Sequence, residues 1–208
     1  MAHSESYKQT FQSFEVPAIA KGAAVPKTID QAADSLKSIL GPQCVVSVEK
    51  THKGDPFLVL HSEYLVKAIQ FLRDDKEYFC STLQVIAATD IFTPKPAAGV
   101  AETEAPTKPL IVGPENTMAV TYVLWSYVHK HQLTLKLYTS RDNPRVPTIC
   151  SLYRSANWYE RECYDMMGVI FEGHPDHRRI LLPPDWVGHP LRKDYVFPEE
   201  YNGMKVPL

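Results

Sequence analysis

Seventeen prolines set the outline of this 208-residue chain, because eleven of them fall in two stretches, 91–116 and 171–208. Proline lacks the backbone N–H that a helix interior or a central strand must donate. Regular structure is thereby confined to what lies between, 28–90 and 117–170. The first stretch holds Pro94, Pro96, Pro106, Pro109 and Pro114 among small and acidic residues, and reads as an exposed loop inside one domain. The second, with Pro175, Pro183, Pro184, Pro190, Pro198 and Pro207, reads as an extended C-terminal tail. Residues 1–27 are polar and aperiodic and read as a flexible arm.

Within these limits the periodicities predict an alternation of elements. A helix starts near Thr28, with Ala32, Ala33, Leu36, Ile39 and Leu40 at helical spacing, and stops at Gly41-Pro42. Cys44–Val48 and Pro56–His61 read as short strands. Ser62 caps a second helix carrying Leu65, Val66, Ile69, Phe71 and Leu72. Tyr78–Thr89 reads as a strand, and Met118–Val128 with Gln132–Ser140 as a β-hairpin turning at His129-Lys130-His131. A last helix runs from a Ser155 cap to Gly168. The fold expected is α+β: a single domain over 28–170, with a mixed or antiparallel sheet flanked by helices. No Gly-rich first turn or P-loop supports a doubly wound nucleotide fold.

Composition narrows function by exclusion. A net charge of -2 gives no basic surface for nucleic acid. No stretch approaches the roughly 20 apolar residues that cross a bilayer. The N-terminus resembles neither a signal peptide nor an Arg-rich presequence. Cys44, Cys80, Cys150 and Cys163 are too scattered to form the close pairs that hold zinc or an iron–sulfur cluster. They read as buried free thiols of a reducing compartment.

Two segments carry more information. Glu160, Arg161, Glu162 and Asp165 place four charges within six residues of the last helix. Arg161 and Asp165 can pair at four-residue spacing, and Glu162 and Asp165 share a side. Such a face is either solvated or turned towards a partner; Trp158, Tyr159, Tyr164, Met166 and Met167 among the charges suit an interface. In the tail, two Gly-His-Pro triplets (173–175 and 188–190) bracket Ile180, Leu181, Leu182 and Trp186, and each precedes a basic pair, Arg178-Arg179 and Arg192-Lys193. These apolar residues can lie in a neighbouring chain's groove or fold back on their own core.

At this point a resemblance becomes specific. Glu160-Arg161-Glu162, Asp165-Met166-Met167-Gly168, Phe171, Gly173-His174-Pro175, Arg178-Arg179-Ile180-Leu181 and Gly188-His189-Pro190-Leu191-Arg192-Lys193-Asp194-Tyr195 resemble the signature of the 30-kDa (C-type) hydrophilic subunit of respiratory complex I. Leu133-Thr134-Leu135-Lys136, Pro147-Thr148 and Ser155-Ala156-Asn157-Trp158 extend it upstream. The 91–116 stretch is longer than the resemblance leads one to expect, and Met167 stands where phenylalanine is common.

The resemblance implies a structural subunit of the peripheral arm of a proton-translocating NADH:quinone oxidoreductase. It implies docking on the large 49-kDa-type subunit near the quinone site, with no catalytic residue, flavin, cluster or metal of its own. The membrane is then met only through the complex, on the cytoplasmic side of a bacterial inner membrane. The expected partner-binding residues are Glu160, Arg161, Glu162, Asp165, His174, Arg178, Arg179, His189, Arg192, Lys193 and Asp194. An equivalent subunit of a membrane-bound hydrogenase or other complex I-like oxidoreductase fits the same signature. A zinc enzyme built on His174, His177 and His189 with Asp176 or Asp185, and a hydrolase built on Glu160, Glu162 and Asp165, fit poorly. Those histidines flank prolines in an extended segment, and those carboxylates crowd one helix beside Arg161.

Overall fold

The computed structural model describes residues 26–50, 54–92 and 113–205. Most of the expected N-terminal arm and the 93–112 part of the Pro-rich stretch lie outside the described residues. Helix α1 spans Ile29–Leu40 and buries Ile29, Ala32, Ala33 and Leu36. It opens on a capping box: the Thr28 hydroxyl accepts the Gln31 N–H, and the Gln31 side chain accepts the Thr28 N–H. Pro42–Cys44 form a 3-10 turn, so Cys44 stands just ahead of strand β1 (Val45–Glu49), which pairs antiparallel with β2 (Phe57–Leu60).

Ser62 does not cap the second helix. A 3-10 turn over Ser62–Tyr64 takes its place, and the Leu65 N–H returns to the Ser62 carbonyl. Helix α2 then runs Leu65–Asp74 without a side-chain cap. Strand β3 covers Thr82–Ile91, later than the expected Tyr78 start. Phe79 takes a left-handed φ of +42° and the Cys80 N–H reaches back to the Leu72 carbonyl, so this segment folds against α2 first. Ile91, assigned from the prolines to the loop, is the last residue of β3.

The predicted hairpin forms as β4 (Thr117–Ser126) and β5 (His131–Ser140), in continuous register from Thr117 opposite Ser140 to Ser126 opposite His131. The five strands form a mixed sheet in the order β1-β2-β5-β4-β3, parallel only between β2 and β5. Val120, Tyr122 and Leu124 alternate with less buried residues on β4, as Leu133, Leu135 and Leu137 do on β5. These side chains join Leu36, Ile69 and Leu72 of the helices in one core. Each fully buried leucine contributes about 1.5–3 kcal/mol. The opposite face is wetter, and there the Lys136 ammonium lies 3.9 Å above the Phe57 ring.

Helix α3 (Ala156–Met167) lies along β3, at the other end of the sheet from α1, which packs on β1 and β2. Ser155 has helical φ and ψ of -63° and -26° and makes no capping bond; turn bonds from Ala156 and Asn157 to the Tyr153 and Arg154 carbonyls lead into the helix. Gly168 ends it as expected, in the left-handed conformation. Short parallel strands β6 (Arg145–Pro147) and β7 (Ile170–Glu172) bracket α3. From Gly173 the chain runs through turns to a small hairpin, β8 (Glu200–Tyr201) and β9 (Met204–Lys205). Asn202 and Gly203, both at positive φ, make its turn.

Candidate functional site

The informative region is the seam between α3 and the tail. Helix α3 buries Asn157, Glu160, Arg161 and Asp165 beside Ala156 and Cys163. The polar four recur at helical spacing, so the buried stripe that meets the tail is polar where an ordinary amphipathic helix is apolar. Their partners show why this is tolerated.

Asp165 has no exposed side-chain surface and is surrounded by donors. Its Oδ2 accepts the backbone N–H groups of Ile180, Leu181 and Leu182 at 3.0, 2.7 and 2.9 Å. Arg179 donates to Oδ1 at 2.7 Å and, with its other terminal nitrogen, to the Gly188 carbonyl. Burial alone would raise the Asp165 carboxyl, but the Leu182 N–H, the Arg179 guanidinium and the Leu181 and Ile180 N–H groups outweigh it and hold the carboxyl below its ordinary value. Arg161 donates to the Arg178 carbonyl at 3.1 Å, lies 3.6 Å from Asp176, and stacks over the Trp158 ring. The pair expected between Arg161 and Asp165 is thus replaced by two links from helix to tail. Glu162, expected to share a side with Asp165, is exposed.

Glu160 is also fully buried. Thr148 and the Ile149 N–H donate to it at 2.5 and 2.8 Å, and the Cys150 thiol at 3.3 Å. Burial pushes its carboxyl up to about 7 against the pull of those three donors. Close by, the Tyr122 hydroxyl is buried without a hydrogen-bond partner. Ligand atoms of Cys150, Glu160 and His174 lie within 4.8 Å of one another, which raises the question of a metal. The hydrogen bonds argue against that fit. The Asp176 N–H donates to His174 Nδ1, which leaves the proton on Nε2, where it meets the Asn157 carbonyl at 3.3 Å. That nitrogen therefore has no lone pair to offer. His177 Nε2 accepts the Phe171 N–H, and His189 Nδ1 donates to the Asp165 carbonyl. The three histidines are engaged separately.

The tail also closes the C-terminal end of α3, whose last carbonyls have no partner within the helix. His189 binds the carbonyl of Asp165, the Leu191 N–H that of Met166 and Arg192 that of Met167. Asp194 joins a network that sequence reasoning missed. Arg141 grips Asp90 bidentately at 2.8 and 3.0 Å and also binds Asp194, while the Lys193 N–H donates to Asp90. A lone charge in the apolar run before the prolines, Asp90, was the available signal. Of the remaining expected residues, Arg178 and Lys193 have exposed side chains, and Arg178 pairs with Asp176.

The expected partner contacts Glu160, Arg161 and Asp165 are therefore turned inward, onto this chain's own loop and tail. The apolar tail residues divide: Ile180, Leu182 and Trp186, which meets the Tyr201 ring, are half-buried, whereas Leu181 and Val187 face outward. All four cysteines are buried, and burial pushes the Cys80 and Cys163 thiols up to about 12, so neither supplies a thiolate at neutral pH.

Residues 58–201, from β2 to β8, match the family described as the 30-kDa subunit of the respiratory-chain NADH dehydrogenase. The chain belongs to that family. Among its relatives, the C-type subunit of the NADH-quinone oxidoreductase of Chloroherpeton thalassium is 57% identical over 79 residues, covering 38% of this chain and 33% of the relative. The corresponding protein of Salinispora tropica is 33% identical over 183 residues, 86% of this chain and 66% of the relative. The chain thus spans from a third to about two thirds of the length of these relatives. The trypsin-resistant fragment (1–134) of Nqo5 is similar in structure, with a TM-score of 0.50 and 26% identity over 70% of this chain and 98% of the fragment. The α+β fold is that of the 30-kDa family. Among the described residues no helix is long and apolar enough to cross a membrane.

Proposed function

We propose that this chain is a non-catalytic structural subunit of the peripheral arm of a proton-translocating NADH:quinone oxidoreductase, and that its tail docks on the large 49-kDa-type subunit near the quinone site. The observation that carries this reading is where the apolar side chains are left uncovered. Of ten exposed large hydrophobic residues among the described residues, six lie on the tail: Leu181, Val187, Leu191, Val196, Phe197 and Met204. A tail built to complete its own core would bury them; one built to be covered by another polypeptide presents them. Arg178, Lys193 and Glu162 stand beside them as exposed charges that select the partner. Arg161, Asp165, His174, Arg179, His189 and Arg192 act from behind, holding the tail in the shape the partner meets, and Glu160 fixes the 148–150 loop beside them.

In this role the chain supplies position, since electron transfer to quinone needs neighbours fixed in geometry. It carries no flavin, cluster or metal, and it reaches the cytoplasmic face of a bacterial inner membrane through its neighbours. The test is purification of the tagged chain from its native membranes, alone and with Val187→Asp and Val196→Asp together. The wild-type chain is expected to bring down the other oxidoreductase subunits with quinone reductase activity. The double variant, altered at side chains 85% and 84% exposed, should melt like the wild type and yet lose those subunits. A wild-type chain that purifies alone, or a double variant that assembles normally, overturns the reading.

A further inference from the structure

The other end of the sheet carries a second uncovered surface. Helices α1 and α2 touch there, and two adjoining shallow depressions that share Ile39, Phe71 and Asp75 together form an open groove along them. From α1 the groove takes Asp34, Ser38 and Ile39, and from α2 Gln70, Phe71 and Asp74. Asp34 and Ser38 are four apart on α1, as Gln70 and Asp74 are on α2, so each helix brings successive turns to the groove. Its floor is apolar: Phe71 is half-buried and Ile39, at 56% exposure, is the large apolar residue of α1 left uncovered. Its rim is acidic. Asp75 and Glu77 join Asp34 and Asp74, with Lys67 as the one cation among the groove-lining residues. Two of the four carboxylates are already paired, Glu77 with Lys27 and Asp74 with Arg73. Asp34 and Asp75, whose carboxylate also accepts the Glu77 N–H, stand against Lys67, so the rim keeps one net negative charge.

We infer that this groove is a second docking surface, and that its occupant is an amphipathic helix of another subunit with an apolar stripe flanked by lysine or arginine. Two helices in contact present side chains from successive turns on which a third helix can pack, and small Ser38 lets it approach closely. The apolar floor meets the occupant's stripe, and the acidic rim meets its cations and rejects an acidic segment. The surface stands at the β1–β2 end, away from the α3–tail seam, which lets the chain bridge two neighbours. This inference rests on the proposed membership of a multi-subunit assembly, and the test separates the two.

The experiment replaces Ile39 with the photo-cross-linker p-benzoylphenylalanine in the tagged full-length chain, irradiates the assembled complex in membranes, and identifies the adduct by mass spectrometry. The expected product joins Ile39 to a helical segment of net positive charge in another subunit. Adding Asp34→Lys and Gln70→Lys, both exposed, should lower its yield about tenfold while the chain still co-purifies with the complex. An adduct to an acidic or uncharged segment, no intersubunit adduct, or a yield unchanged by the two lysines overturns the inference while leaving the tail reading intact. If the chain brings down no other subunit, both readings fall.

Discussion

Asp165 holds Leu181 by its backbone: a carboxylate oxygen of the last helix accepts the Leu181 N–H at 2.7 Å, and the same oxygen takes the amides on either side. Three consecutive tail amides thus converge on one side chain from sixteen residues upstream. An isolated carboxylate in this place would be costly to bury, whereas one with four donors is not. Losing either side of such an arrangement leaves the other buried and unmatched.

Asp165→Ala should therefore cost about 3 kcal/mol or more, since it strips a buried pair of one partner. The loss should also be local. Hydrogen exchange of the Ile180, Leu181 and Leu182 amides should accelerate in the variant, with core amides of β4 and β5 as protected as before. Equal loss of protection throughout would mean that Asp165 supports the whole domain.

Arg179→Ala and Arg178→Ala should differ. Arg179 is largely buried and feeds both Asp165 and the Gly188 carbonyl, whereas the Arg178 side chain is 74% exposed. In urea denaturation Arg179→Ala should lower stability by about 2–4 kcal/mol. Arg178→Ala should change it by under about 1 kcal/mol, as exposed ion pairs do. Replacing both at once mixes a packing effect with a surface effect.

Glu160 sets a pH dependence. Its folded carboxyl titrates near 7, above the ordinary 4.5, because burial disfavours the charged form. Between those values the folded protein holds a proton that the unfolded chain has released, so stability falls as pH rises through this window, by about 3 kcal/mol in all. Glu160→Gln should flatten the slope across that window in urea melts; an unaltered slope would show that the carboxyl is ionised throughout. Asp165 acts with the opposite sign. Its depressed carboxyl stabilises the fold above the ordinary aspartate range, and that contribution is lost as the solution is acidified through its folded value.

The two partners of Arg141 should be unequal. Asp90 is buried and bound bidentately, while the Asp194 side chain is 49% exposed. Asp90→Ala should cost about 3–5 kcal/mol and Asp194→Ala about 1 or less, measured by thermal or urea unfolding. Comparable losses would mean that the network acts as a unit across its exposed end.

Gly168→Ala meets two obstacles together. The residue sits at φ +77°, and a Cβ there would come within 2.6 Å of the His189 ring and 2.9 Å of Arg192. The left-handed conformation alone costs about 1–2 kcal/mol. Displacement of His189 should add to that, visible as loss of its bond to the Asp165 carbonyl in imidazole NMR.

Local signals carry the sheet and helices well. Thr28 with Gln31 marks a helix start by chemistry confined to four residues, and alternation across Met118–Ser140 specifies a hairpin without outside help. Ser62 and Ser155 mislead because a 3-10 turn and a run of turns can satisfy the same N–H groups that a cap would. The Asn202-Gly203 turn has a readable signal, yet the surrounding prolines mask the two short strands it joins. The seam is legible in identity and illegible in direction: Glu160, Arg161 and Asp165 sit in a segment that spacing alone would leave solvated. Only the return of the tail, well downstream in sequence, turns that face inward. Asp90 and Arg141 are 51 positions apart and meet only once β3, β4 and β5 are aligned.

A greasy stripe on the last helix would accept a strand slid along it by a residue or two at small cost. Three successive amides aimed at one carboxylate resist such slippage: a shift one way brings Pro183, which has no N–H, to the carboxylate, and a shift the other way draws the Arg179 guanidinium off it. The fastening works like a key cut with three teeth. It indexes Leu181 and Val187 against the last helix to a single residue, and an inserted or deleted amino acid between Asp176 and Ile180 should be tolerated far less than the proline content of that stretch suggests.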